Sequence, residues 1–273
     1  MNRIENLDFC IQYLSEQAHI SPLPLQTLSD RKKALRALMN VWEPRPLSEP
    51  FLAAQDHELQ TQLTEKGIVT LAEIPPLNTF PMQDGDTLDS QLFLWQGDIT
   101  RLQVDAIVNA ANSGMLGCWS PLHNCIDNCI HSSAGLQLRS ECSHLVQTGK
   151  WRGEESAAKG EVVITQGYNL PARHVIHTVG PIVPGSEPTS RHRDMLERCY
   201  RSCLEMAARH GCTSIAFCCI STGVFGYPNR EASRVAVATV LDWLHSSKTP
   251  INIVFNVFKD IDYQLYQQQL AMP

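Results

Sequence analysis

The sequence predicts an α/β fold: a mainly parallel or mixed sheet covered by helices on both faces, preceded by a helical segment that ends near residue 85. Three observations carry this. Beyond residue 85, short apolar stretches of strand length alternate with longer segments of helical period. Those strands are apolar nearly throughout, as strands buried on both faces must be. Before residue 85 the period is helical alone and is interrupted by prolines. Apolar residues make up 43% of the chain and charged residues 18%, which supplies a large core and excludes disordered, collagen-like and coiled-coil chains.

Taken in order, Ser29 is placed to cap a helix in which Leu35, Leu38, Met39 and Trp42 recur at i, i+3, i+4 and i+7. Glu49–Lys66 follows, with Leu52, Leu59 and Leu63 on one side and Gly67 as its stop. Pro44, Pro46 and Pro50 part the two helices. Pro75, Pro76, Pro81 and Gly85 make an irregular connection, so residues 1–85 are read as a helical extension and 86–273 as the α/β domain. Strand-like stretches fall at Leu92–Gln96, Ala106–Asn109, Val162–Gln166, His174–Val179, Ser214–Cys218 and Asn252–Val257. Helical patterns separate several of them: Met195–His210 ahead of Gly211, and Arg230–His245, where Val237, Val240, Leu241 and Leu244 form one face. Sheets of this kind bind ligands where the strands end at their carboxyl side.

Charge narrows the ligand. With 22 basic and 28 acidic residues the net charge is −6, which excludes a groove that neutralises many phosphates. One or two phosphates remain open, because backbone N–H groups hold them without net positive charge. Apolar runs such as Ile215–Ile220 are far shorter than the roughly 20 residues that span a bilayer. The N-terminus, MNRIENLDFC, lacks the basic start and apolar stretch of a secretory signal. The expectation is a cytoplasmic protein with neither nucleic acid nor membrane as partner. Of its 10 cysteines, Cys199, Cys203, Cys218 and Cys219 sit in apolar stretches, where burial or metal binding is the better reading than disulfides.

Three loops follow expected strands: Gln96-Gly97-Asp98-Ile99-Thr100, Asn109-Ala110-Ala111-Asn112-Ser113, and Ser221-Thr222-Gly223-Val224-Phe225-Gly226-Tyr227-Pro228. The third is glycine-rich and opens a helix, a setting in which N–H groups point at an anion. A fourth segment, Gly114–His131, carries Cys118, His123 and Cys125 in a C-x₄-H-x-C spacing. Thiolate and imidazole are the donors zinc prefers, and three protein ligands leave a coordination position open, as catalytic zinc requires. Cys129 and His131 compete for the same assignment, since one helical turn places Cys129 on the face of Cys125. Asp127 falls in the first turn of the helix that begins near Cys125, where the dipole favours a carboxylate whatever its use. His177 reads as a core or strand-end histidine, and Arg191-His192-Arg193 as a solvated helix start.

Taken together, GDIT…VDAIVNAAN and STGVFGYP resemble the macrodomain family, whose members bind or hydrolyse ADP-ribose. The cysteine–histidine loop and the stretch ALMNVWEP…LSEPFLAAQDHELQ resemble its zinc-containing branch, which carries a helical N-terminal extension. The resemblance implies a three-layer α/β/α macrodomain with a mixed central sheet. It implies that Asp98 binds the adenine amino group, Ile99 gives backbone contact nearby, and Asn112 reads the distal ribose. Ser221, Thr222, Gly223, Val224, Phe225 and Gly226 would wrap the diphosphate, with Phe225 against a ribose and Phe258 on the adenine. Cys118, His123 and Cys125 would hold Zn²⁺, and Asp127, facing the distal ribose, would orient or deprotonate the attacking water. The implied activity is zinc-dependent removal of mono-ADP-ribose from acidic side chains of proteins. A reader module without catalysis and an O-acetyl-ADP-ribose deacetylase are the alternatives. The branch also implies a partner sirtuin that modifies a lipoyl carrier protein. The extension could cap the sheet, dock a partner or add stability.

Overall fold

The computed structural model describes residues 1–21, 25–77, 92–247 and 249–271. The expected boundary near residue 85, with Pro81 and Gly85, lies outside the described residues. The chain opens with α1 (Arg3–Ala18), α2 (Leu28–Asn40) and α3 (Glu49–Lys66), and a short β1 (Val69–Thr70) follows. The α2 cap is Thr27 rather than the expected Ser29. The Thr27 side chain accepts from Asp30 N–H while the Asp30 carboxylate accepts from Thr27 N–H, which satisfies two orphan donors at once. Helix α3 has the expected bounds and stops at Gly67, whose φ of 77° a side chain disfavours.

The second part contains β2 (Leu92–Gln96), β3 (Leu102–Gln103), β4 (Ala106–Ala110), α4 (Ile126–Ala134), α5 (Leu136–Gln147), α6 (Glu154–Lys159) and β5 (Val163–Gln166). It continues through β6 (His174–Thr178), α7 (Ser190–Arg209), β7 (Ser214–Phe217), α8 (Asn229–Ser247), β8 (Asn252–Val257) and α9 (Asp260–Leu270). Six strands form one sheet in the order β2-β8-β7-β4-β6-β5. All its pairs are parallel except β5 with β6, so the sheet is mixed, as expected. Helices α7, α8 and α9 pack together in one layer, and α4 and α5 in the other. The fold is therefore the expected three-layer α/β/α arrangement with helices at its N-terminus. Ile107, Val175, Ile215 and Ile253 are fully buried at the sheet centre, which explains strands apolar on both faces.

The extension has a core of its own in which Leu7, Leu14, Leu35 and Phe51 are buried, joined to the rest through Leu136 of α5. Strand β1 pairs in parallel with β3, Val69 opposite Leu102. Buried Arg139 of α5 donates from Nη1 to the carbonyls of Met39, Asn40 and Trp42 at 2.9, 2.9 and 2.8 Å. Those carbonyls lie at and just beyond the end of α2, so a charged side chain of the α/β domain caps a helix of the extension. No helix among the described residues is long and apolar enough to cross a membrane.

Candidate functional site

A cavity of about 1060 Å³ opens at the carboxyl ends of four neighbouring parallel strands. Residues after β2 (Gly97, Asp98), β4 (Ala111, Asn112), β7 (Ser221 to Phe225) and β8 (Phe258, Lys259) line it. This is where strand termini and their loops leave a crevice in such sheets. Helices α2 and α3 close the remaining side with Arg36, Met39, Leu63 and Lys66. Of the residues expected to bind or react, Asp98, Ile99, Asn112, Cys118, His123, Cys125, Asp127, Ser221 to Phe225 and Phe258 line this one chamber. Gly226 lies just behind its loop, donating its N–H to the Gly223 carbonyl at 3.1 Å.

At one end, Asp98 Oδ1 accepts from Thr100 N–H at 3.0 Å and from the Thr100 hydroxyl at 2.7 Å, while Oδ2 faces Lys66 Nζ at 3.2 Å. Burial opposes the charge on Asp98, but the Thr100 hydroxyl and the Lys66 ammonium hold its carboxyl below the ordinary value. Ile99 beside it is buried, and Phe258 stands 75% exposed at the rim, free to meet a flat ligand.

The loop after β7 turns at Ser221, which has a φ of 67° and is buried. Gly180 makes room for it, since a Cβ there would lie 2.1 Å from Ser221 Oγ. The N–H groups of Gly223, Val224 and Phe225 find no acceptor among the described residues. Successive free N–H groups around a turn form an anion-binding concavity.

At the other end, Asp127 is buried in the first turn of α4. Its Oδ1 accepts from Asn109 Nδ2 at 2.8 Å and its Oδ2 from Asn112 Nδ2 at 3.2 Å. Burial pushes its carboxyl up to about 6 against the pull of Asn109, Arg139 and Asn112. The Asn112 amide is shared with its own loop, donating to Gly117 O at 3.1 Å and accepting from Gly114 N–H at 3.0 Å.

Two groups of side chains among the described residues could hold a metal ion. In Cys118, His123 and Cys125 the ligand atoms lie within 4.8 Å of one another, with Cys118 Sγ 3.7 Å from His123 Nδ1. Zinc bonds of about 2.0–2.3 Å in a tetrahedron separate ligand atoms by about 3.5 Å, so this set fits. Cys125 is the N-cap of α4 and its sulfur accepts from Asn128 N–H at 3.5 Å. Burial pushes its thiol up to about 12, with Cys118 alongside adding to the rise. The second group is His131, Cys142 and His177, all buried. There His177 is already committed, Nδ1 to Asn109 Nδ2 at 3.2 Å and Nε2 to the Thr165 hydroxyl at 3.0 Å. With Asn109 donating, Nδ1 accepts and Nε2 carries the proton, so His177 offers no lone pair to a cation. It is the core histidine that the sequence suggests.

The two competitors separate. The Cys129 sulfur lies 3.8 Å from Arg36 Nη2, outside the Cys118–His123–Cys125 set, because Cys125 precedes the helix instead of sharing its face. His131 points into the polar core beneath Asp127, its Nε2 3.6 Å from Asp127 Oδ1. Sequence reading missed Arg36, Lys66, Asn109 and Arg139. Asn109 stands inside the quoted NAAN stretch, its side chain turned from β4 to Asp127. Arg36 and Lys66 belong to the extension and reach the chamber only through tertiary packing, so no spacing marks them.

Comparisons with known proteins bear on the family of the chain. The Macro domain family model matches residues 108–236. A Treponema medium protein named protein-ADP-ribose hydrolase is 45% identical over 99% of this chain and 100% of its own length. A Fusarium oxysporum protein named as a probable bifunctional ADP-ribose hydrolase/ADP-ribosyltransferase is 40% identical over 98% of this chain, which spans 44% of it. The crystal structure of a Trypanosoma brucei macrodomain in complex with ADP-ribose superposes with a TM-score of 0.62, at 30% identity over 91% of this chain and 97% of that one.

Proposed function

We propose, because the chain belongs to the Macro domain family, that it is a protein-ADP-ribose hydrolase, zinc-dependent and acting on mono-ADP-ribose esterified to acidic side chains. The observation that carries the reading is the meeting of a phosphate-type loop, a buried carboxylate and a three-donor metal set in one cavity. The free N–H groups of Gly223 to Phe225 would hold the diphosphate, with Ser221, Thr222 and Gly226 shaping the turn and Phe225 against a ribose. Asp98 would accept from the adenine amino group, with Ile99 below it and Phe258 on the ring face. The distal ribose would then lie near Asn112 and Asp127.

Hydrolysis adds water across the ester, freeing the Asp or Glu carboxyl and ADP-ribose. Asp127 would orient that water and take its proton, then return a proton to the departing oxygen. Its two oxygens are fixed by Asn109 and Asn112, so it meets the ligand in one orientation. Cys118, His123 and Cys125 would hold Zn²⁺, which when bound supplies Lewis acidity or a template for the ribose and acyl oxygens. The writer we assign is a sirtuin-type transferase that modifies a lipoyl carrier protein. The Fusarium relative, whose name joins a hydrolase to an ADP-ribosyltransferase, supports a transferase partner, while the sirtuin type and the lipoyl carrier follow from the resemblance to the zinc-containing branch.

The test is release of label from a protein mono-ADP-ribosylated on Glu or Asp, by the chain as purified, after chelation and after zinc is returned. Loss and recovery of release is the expected result. Binding of ADP-ribose with no release under any condition would make the chain a reader. Release indifferent to chelation, with zinc confirmed absent, would keep the hydrolase and remove the metal.

A further inference from the structure

The residue that reaches furthest out of the metal set is His123. It is exposed, and its ring meets the Cys118 sulfur at 3.7 Å, so its place is decided by its backbone. That backbone is a turn closed by His123 N–H on the Ser120 carbonyl at 3.2 Å, with Leu122 at a φ of 58°. A leucine stays in the left-handed region only where its surroundings over-determine it.

Three side chains supply that constraint. Asn40 Oδ1 accepts from Leu122 N–H at 2.9 Å, Arg36 Nη2 donates to the His123 carbonyl at 2.8 Å, and Asn128 Nδ2 donates to the Ser120 carbonyl at 2.9 Å. Two of the three come from α2, more than 80 residues away in the chain. They are themselves fixed. Arg36 also donates from Nη2 to Asn128 Oδ1 at 2.8 Å, and buried Asn40 donates to the Ser132 hydroxyl at 2.9 Å. The end of α2 is held in turn by Arg139, whose guanidinium lies 4.4 Å over the ring of Trp119, beside Cys118 in the same loop.

We propose that Arg36 and Asn40 are positioning residues of the metal centre, holding the turn that presents His123, so that the N-terminal extension is a working part of that centre. This rests on the reading of Cys118, His123 and Cys125 as metal ligands. Groups that orient ligands from outside govern metal affinity because they remove the freedom a ligand loses on binding. A purely structural extension would leave affinity for zinc untouched so long as the chain stays folded.

The experiment uses the full chain and titrates zinc against a competing chelator, with the Co²⁺ absorption spectrum as a readout of ligand geometry. Arg36→Met keeps the aliphatic stem and removes the bonds donated to the His123 carbonyl, Asn128 Oδ1 and the Cys129 sulfur. Its zinc affinity is expected to fall about 10–100-fold with altered Co²⁺ bands, while Tm stays near wild type. Arg36→Lys, with one compact donor in place of a fork, is expected to fall between the two. Wild-type zinc affinity and Co²⁺ bands in Arg36→Met would overturn the proposal. Should that variant fold poorly, unchanged zinc affinity in Arg36→Lys and in Asn40→Ala, which removes the acceptor of Leu122 N–H, overturns it equally. Cys118→Ser separates the failures. Loss of zinc there with none in Arg36→Met sinks this inference alone. Equal, weak zinc binding by wild type and Cys118→Ser sinks the metal reading and this inference with it.

Discussion

Asn109 on β4 donates to Asp127 on α4 at 2.8 Å, both residues buried, and the same amide lies 3.2 Å from His177 Nδ1 on β6. A strand amide thus fixes the carboxylate of a helix 18 residues later while reaching across to the neighbouring strand. Removing it leaves two buried acceptor atoms, Asp127 Oδ1 and His177 Nδ1, without their donor. Asn109→Ala is expected to cost about 2–4 kcal/mol of stability, read by urea unfolding, and to lower turnover more than ADP-ribose affinity.

Asp127→Asn keeps the size and the buried position but removes the base. Label release is expected to fall by about 10²–10⁴ while ADP-ribose binding, measured by calorimetry, stays within a few-fold of wild type. A variant that still turns over at the wild-type rate would move the chemistry elsewhere in the chamber.

Gly180 faces Ser221 across the loop after β6. A Cβ there would come within 2.1 Å of Ser221 Oγ and 2.7 Å of Ile220 Cγ2, so Gly180→Ala must displace the turn whose N–H groups lie open. Overpacking of this kind costs about 1–3 kcal/mol, and ADP-ribose affinity is expected to fall with it. At Gly223 a Cβ meets nothing within 4 Å, so Gly223→Ala is the companion that should retain the fold.

Burial holds His177 neutral, its value brought down to about 3 from an ordinary 6.5. Between those values the unfolded chain binds a proton that the folded chain refuses, so stability falls as pH drops below 6.5 and levels off near 3. Each pH unit in that window costs about 1.4 kcal/mol, or about 2 kcal/mol at pH 5. Asp127 acts in the opposite sense: its value is raised to about 6, so folded protein gains stability as the pH falls through 6. Unfolding curves of wild type against His177→Gln cancel the Asp127 contribution. The variant should lose distinctly less stability between pH 7 and pH 5.

Arg139 is buried and carries its charge against burial, which lowers it to about 10. Arg139→Met would take a donor from the carbonyls of Met39, Asn40 and Trp42 and remove the cation above Trp119. A loss of about 3 kcal/mol is expected, seen as a lower midpoint in urea, with the extension loosening first in hydrogen exchange.

Much of this was legible in one dimension. Strands β2 and β8 have the bounds their apolar runs predict, because a strand buried on both faces records its burial residue by residue. Helix α3 ends at Gly67 for a local reason, a backbone angle that glycine adopts freely. The cap of α2 was misplaced by two residues, since Ser29 and Thr27 carry the same hydroxyl chemistry and only the reciprocal bond with Asp30 chooses between them. The choice of Cys125 over Cys129 likewise depended on where a helix begins.

What the sequence determined by itself is the set of elements and the chemical kinds gathered in four loops: a glycine turn, two carboxylates, two thiols and an imidazole. These are local properties, fixed by side-chain type, period and spacing along the chain. What only the tertiary structure decided is their company. Arg36 and Lys66 reach the chamber, and Asn40 the Leu122 turn beside it, from helices that precede it by dozens of residues, and His177 meets Asn109 because β4 and β6 are neighbours in the sheet. Hydrogen bonds and buried charge depend on distance in space, and one chain order is compatible with many such distances until the core packs and selects one.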